Sequence, residues 1–93
     1  MTLSDALKFL HLDSGANDAL VDTLLAAVPD YIELTTGMSK EEQPNEPLCE
    51  VVTKFLLTAW FFGDKADTIK LDHAITNLLG AISLKCSNGV LSL

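Results

Sequence analysis

With 93 residues, 48% of them hydrophobic and only 20% charged, the chain has the size of one small domain (1–93) and more apolar side chain than so small a core readily hides. Thirteen acidic residues against six basic ones give a formal charge of -7 with no basic cluster, which excludes tight nucleic-acid binding by phosphate neutralisation. Two cysteines, no basic leader and no apolar run near the ~20 residues that cross a bilayer exclude a disulfide-stapled scaffold and a membrane span, and lead us to expect a reducing compartment.

Ser4 precedes Asp5-Ala6-Leu7-Lys8-Phe9-Leu10, so its hydroxyl is placed to accept an orphan backbone N–H ahead of an acidic first turn. Leu3, Leu7 and Leu10 share one helical face, which predicts a short first helix ended by the turn residues Asp13-Ser14-Gly15. Asn17 is the expected cap of a second helix, whose apolar positions Leu20, Val21, Leu24, Leu25, Val28 and Ile32 advance by threes and fours to a stop at Gly37. Pro29 lies inside that pattern. It lacks an N–H for the Leu25 carbonyl and crowds that turn, a fault of about 3 kcal/mol in a helix interior, so the sequence predicts a kink near Pro29 or two collinear helices.

Met38 to Glu46 is polar and reads as a surface loop, and Pro47 suits the first position of a third helix. Leu48, Val51, Val52, Phe55, Leu56, Ala59 and Phe62 form its expected core stripe, with Glu50 and Lys54 paired four residues apart on the far side. Leu57, Trp60 and Phe61 fall outside that stripe and widen the apolar face, which predicts burial on two sides. Gly63 and Asp64 stop the helix, and Asp67 to Lys70 reads as a short connection. Leu71, Ile75, Leu78, Leu79 and Ile82 form the stripe of a fourth helix, and Asn88-Gly89 marks a turn before a short apolar C-terminal tail, Val90-Leu91-Ser92-Leu93. The expected architecture is an all-α bundle of about four helices.

No constellation for catalysis is visible. His11-Leu12-Asp13 and His73 stand apart from any partnered nucleophile, and His and Cys nowhere take the C-x-x-C or H-x-x-x-H spacing of a metal site. The expectation is therefore no enzyme, no metal and no cofactor. Asp18, Asp22, Asp30 and Glu33 share the second helix, either as a solvated face or as an acidic lining. Trp60-Phe61-Phe62 is either core or an interface anchor, because aromatics dominate both.

One ordered series of segments carries a resemblance. Leu7-Lys8-Phe9-Leu10-His11-Leu12-Asp13 is followed by Asp18-Ala19-Leu20-Val21, Leu24-Leu25-Ala26-Ala27, Tyr31-Ile32-Glu33, Thr36-Gly37, Pro47-Leu48, Ala59-Trp60-Phe61 and the pair Leu78-Leu79. Over roughly residues 3 to 82 this order and spacing resembles the head-tail connector, or DNA-packaging adaptor, proteins of tailed bacteriophages and prophages. The resemblance implies a ring of identical subunits beneath the portal protein, through which DNA passes without specific binding and to which tail-side proteins attach. It places the chain in the virion neck, and in the host cytoplasm during assembly. Head-to-tail contact requires two different complementary patches per subunit. Leu57, Trp60, Phe61, Val90, Leu91 and Leu93 are the candidates for subunit or partner contacts; Asp18, Asp22, Asp30 and Glu33 are the candidate channel-facing residues. The alternative is a small helical protein-binding or regulatory module of a bacterial cell.

Overall fold

Thr2 opens the first helix. Its hydroxyl accepts the Asp5 N–H at 3.2 Å while the Asp5 carboxylate accepts the Thr2 N–H at 3.3 Å, a reciprocal capping box. Ser4, the expected cap, lies inside α1 (Leu3–Phe9) in this computed structural model, which describes residues 1–13, 15–63 and 68–91, the side chains of 68 and 87–91 excepted. The helix stops before the expected Asp13-Ser14-Gly15 turn, of which Ser14 is outside the described residues. His11 adopts a left-handed φ of 59°, its N–H reaches the Lys8 carbonyl at 3.1 Å, and the Leu12 N–H reaches the Leu7 carbonyl at 2.9 Å. These two bonds make a Schellman motif with histidine in the position that usually favours glycine, and Leu12 packs against the core that contains Leu7.

α2 (Asp18–Thr36) runs as one helix through Pro29 rather than splitting there. Asn17 occupies the cap position without a side-chain bond; the Asp18 carboxylate instead accepts the Gly15 N–H at 2.8 Å. Gly37 ends the helix as expected, with a left-handed φ of 83° and its N–H on the Glu33 carbonyl at 2.9 Å. The following polar segment is a folded strap rather than an open loop, because Met38 and Gln43 are buried in it. The Gln43 side-chain amide donates to the Pro29 carbonyl at 2.9 Å and to the Met38 carbonyl at 3.1 Å, so the strap is tied to the turn of α2 that the proline disturbs. A short 3-10 turn at Gln43–Asn45 leads into α3 (Pro47–Phe61). Pro47 takes the first helical position, and the Glu46 carboxylate caps it by accepting the Leu48 N–H at 3.2 Å.

α4 spans Thr68–Leu91, beginning inside the expected connection and continuing through Asn88-Gly89, where the sequence predicted a turn. Glu46 also binds the Lys85 ammonium at 2.9 Å and 3.1 Å, which fastens the start of α3 to α4. The four helices form one all-α domain with no strand among the described residues. α3 is its centre, in contact with each of the other three helices. Val21, Val28, Ile32, Val52, Leu56, Leu57 and Ile82 are its largest fully buried side chains, each stabilising the fold by about 1.5–3 kcal/mol through removal of apolar surface from water. The buried side of α3 differs from the expected stripe: Cys49 and Leu57 are inside it and Val51 is exposed. Lys54 lies over the Phe9 ring at 5.8 Å, and the expected Glu50–Lys54 ion pair is not formed. No helix among the described residues is long and apolar enough to cross a membrane.

Candidate functional site

Tyr31 and Trp60 form an aromatic pair that the core does not cover fully. Tyr31, on the outer side of α2, and Trp60, near the end of α3, meet edge to face with ring centroids 5.6 Å apart. Trp60 is 36% exposed, and Leu34, one turn beyond Tyr31, is 87% exposed. Leu20 and Ala27, on the same side of α2, are exposed as well. Leu20, Leu24, Ala27, Tyr31 and Leu34 follow one another at spacings of four and three, the spacing of a helix seam that packs against another helix. The predicted interface thus divides. Trp60 stands at the surface, Phe61 turns to the core and stacks edge to face on Phe62 at 4.9 Å, and Leu57 is fully buried. Leu57 is a core residue and not part of a contact surface. The side chains of Val90 and Leu91, and the whole of Leu93, lie outside the described residues.

The four acidic candidates of α2 have separate surroundings. At 100° per residue they fall within an arc of roughly 120° beside the apolar seam. Asp22 is exposed. Asp18 accepts the Gly15 N–H in the turn that precedes its helix, Asp30 pairs with the Lys40 ammonium, and Glu33 accepts the Lys40 backbone N–H at 3.0 Å. Asp30 and Glu33 therefore hold the strap to α2, and the same contact raises the Lys40 pKa above its usual value, chiefly through the Asp30 hydrogen bond. The charge pattern was readable from sequence; the lysine that answers it comes from a loop whose path only the fold defines.

Among the described residues no group of three or more His, Cys, Asp or Glu is arranged to hold a metal ion. His11 serves the α1 terminus through its backbone, and His73 is exposed on α4. The Cys49 sulfur lies 3.7 Å from the Met38 sulfur in a buried site, and burial pushes its thiol pKa up, which keeps it in the unreactive protonated form. A depression between the strap and the start of α3 is lined by Asp5, Lys40, Glu46, Cys49 and Glu50 among others, but Asp5 is bound to Thr2, Lys40 to Asp30 and Glu46 to Lys85, and the Cys49 thiol is held protonated by burial. Comparison with protein-family models, curated proteins and solved structures finds no match for this chain.

Proposed function

We propose that the protein is a structural head-tail connector of a tailed bacteriophage or prophage, a ring subunit that sits beneath the portal and receives tail-side proteins, without catalysis. One observation carries the reading. Two of the segments in which the resemblance resides, Tyr31-Ile32-Glu33 and Ala59-Trp60-Phe61, converge in space, and their Tyr31 and Trp60 rings form a partly exposed aromatic patch on an otherwise apolar helix seam. A monomeric domain gains nothing from leaving that seam open, whereas an assembly subunit covers it on docking.

In this reading the acidic flank of α2 lines or borders the DNA passage, where negative charge lets the duplex slide without adhering. Asp22 is the position that tests it, since it is exposed and takes no part in holding the strap. The experiment is deletion and complementation in the parent phage. Loss of the gene should leave DNA-filled heads and free tails that fail to join, and the protein should be found at the neck of wild-type particles by electron microscopy. Normal joining without it, or its absence from particles, refutes the proposal.

A further inference from the structure

Cys49 and Cys86 stand on the two helices that the Glu46–Lys85 contact joins, and both are free thiols. Cys49 lies in the first turn of α3, buried at 4% exposure, with its N–H on the Glu46 carbonyl at 3.0 Å. Cys86 directly follows Lys85, whose ammonium holds the Glu46 carboxylate. On α4 the buried Ile75 and Ile82 and the half-buried Leu79 run at spacings of four and three. The next step of four is Cys86, packed against the same core that contains Cys49. Helix axes about 8–10 Å apart, with Cα atoms about 2.3 Å from each axis, leave roughly 3.5–5.5 Å between facing Cα positions, which overlaps the roughly 4.4–6.8 Å that a disulfide spans. Burial, then Glu46, then Cys86 raise the Cys49 pKa, and the last of these is a through-space effect that only a neighbour exerts.

We infer that Cys49 and Cys86 are a redox pair that closes into a disulfide across the junction of α3 and α4. Cys86 is the entry, because its partly exposed side chain is the one that an oxidant in solution reaches. A low-molecular-weight disulfide, oxidised glutathione, supplies the oxidation in two exchanges. The Cys86 thiolate attacks one glutathione sulfur, forming a mixed disulfide and releasing one glutathione thiolate. The Cys49 thiol then gives its proton to solvent and attacks the Cys86 sulfur, forming the protein disulfide and releasing the second glutathione. Two protein thiols are oxidised while one disulfide is reduced to two thiols, so electrons and protons balance. The product ties the first turn of α3 to α4 beside the Glu46–Lys85 bridge and stabilises the fold by constraining the unfolded chain. The pair stays open in a reducing compartment and closes in an oxidising medium. This clasp does not depend on the connector reading.

Equilibration of the full chain with reduced and oxidised glutathione at graded ratios, native and in urea, followed by acid quenching and mass spectrometry, tests it. Native protein should become a monomer lighter by two hydrogens, with a tryptic product that joins residues 41–54 to 86–93. The effective concentration of the two thiols should be about 100-fold or more higher in the native than in the unfolded chain. By linkage that ratio is the gain in stability, ~2.8 kcal/mol, so the oxidised protein should melt roughly 10–20 °C above the reduced one. Cys86→Ser should melt, when reduced, within about 2 °C of reduced wild type and take up no glutathione while native, because surface substitutions change stability little. Cys49→Ala should stop at the mixed disulfide on Cys86. Wild type that stops there too, chains joined to one another through Cys86, or an effective concentration no higher in the native chain than in urea overturns the inference. A disulfide that forms as described in a protein absent from phage particles leaves the clasp standing and removes only the connector reading.

Discussion

Replacing Gln43 with alanine tests whether the strap after α2 is part of the fold. The side-chain amide gives both its hydrogens to backbone carbonyls, Pro29 at 2.9 Å and Met38 at 3.1 Å, from a buried position. Each such bond contributes about 1 kcal/mol net, and a carbonyl left buried without a donor adds its own desolvation cost, so Gln43→Ala should destabilise the protein by about 2–3 kcal/mol. For a domain of this size that lowers Tm by roughly 10–20 °C. Urea unfolding followed by the emission of Trp60, the only tryptophan, together with far-ultraviolet circular dichroism melts, measures it. A loss below ~0.5 kcal/mol would refute the argument, because surface substitutions commonly cost that little. Gln43→Glu sharpens the test. It keeps the size but turns a carboxylate toward two carbonyl oxygens, which raises its folded pKa above the unfolded value. Its stability relative to wild type should be best in acid, where the protonated carboxyl donates one hydrogen, and should fall as pH rises through the folded pKa.

Four further outcomes follow from the same structure. Leu57→Ala, at a fully buried position, should cost about 2–5 kcal/mol in denaturant unfolding, which places this residue in the core and outside any contact surface. His11→Gly should stabilise the protein by about 1 kcal/mol in the same assay, since the left-handed φ of 59° strains a residue with a β-carbon and suits glycine. Asp5 and Glu46 both have pKa values below the usual carboxylate range, Asp5 chiefly through the Thr2 backbone N–H and Glu46 chiefly through Lys85. Their contributions are complete above the unfolded carboxylate pKa and are lost as pH falls through the lowered folded values, so thermal melts should show an acid limb that Glu46→Gln flattens. The raised Lys40 pKa acts at the other end: its pairing with Asp30 is retained at and below the ordinary lysine range and is lost only in stronger alkali.

What was legible in the sequence is what short-range chemistry decides. Gly37 and Pro47 mark helix ends because left-handed φ and a missing N–H are local properties, and both stand where they were expected. Val21, Val28 and Ile32 were readable as core because polar residues interrupt α2 on one side and so define its period. α3 offers no such contrast. It is apolar on nearly every side, so periodicity could not choose between Val51 and Leu57, and the choice fell to the helices that surround it. The start of α1 was missed for a different reason. Thr2 and Ser4 are both competent caps, and the reciprocal bond with Asp5 selects Thr2. Gln43 was illegible because its partners, Pro29 and Met38, are brought to it by the return of the strap, and an amide in a polar stretch carries no mark of burial.

The candidate site was half legible for the same reasons. Trp60 could be singled out as a potential anchor, but the partner ring that fixes it, Tyr31, sits on another helix, and Leu34 and Leu84 stand outside the predicted stripes of their helices. Their exposure follows from the shape of the domain. Its shortest dimension is 18 Å, about two helix layers at 10–12 Å each, so even α2 and α3, which each touch all three other helices, are not enclosed on every side. α2 and α4 each keep a side turned away from the interior. In a chain that is 48% hydrophobic, two layers cannot absorb every apolar side chain, and the surplus stands at the surface, Phe9 on α1, Leu20 and Leu34 on α2, Val51 on α3, Ile69 and Leu84 on α4. Only on α2 do the outer apolar residues, Leu20, Leu24, Ala27, Tyr31 and Leu34, keep the regular spacing that a helix partner requires, so substitution of Leu20 or Leu34 should act on association while leaving the core, and hence the fold, intact.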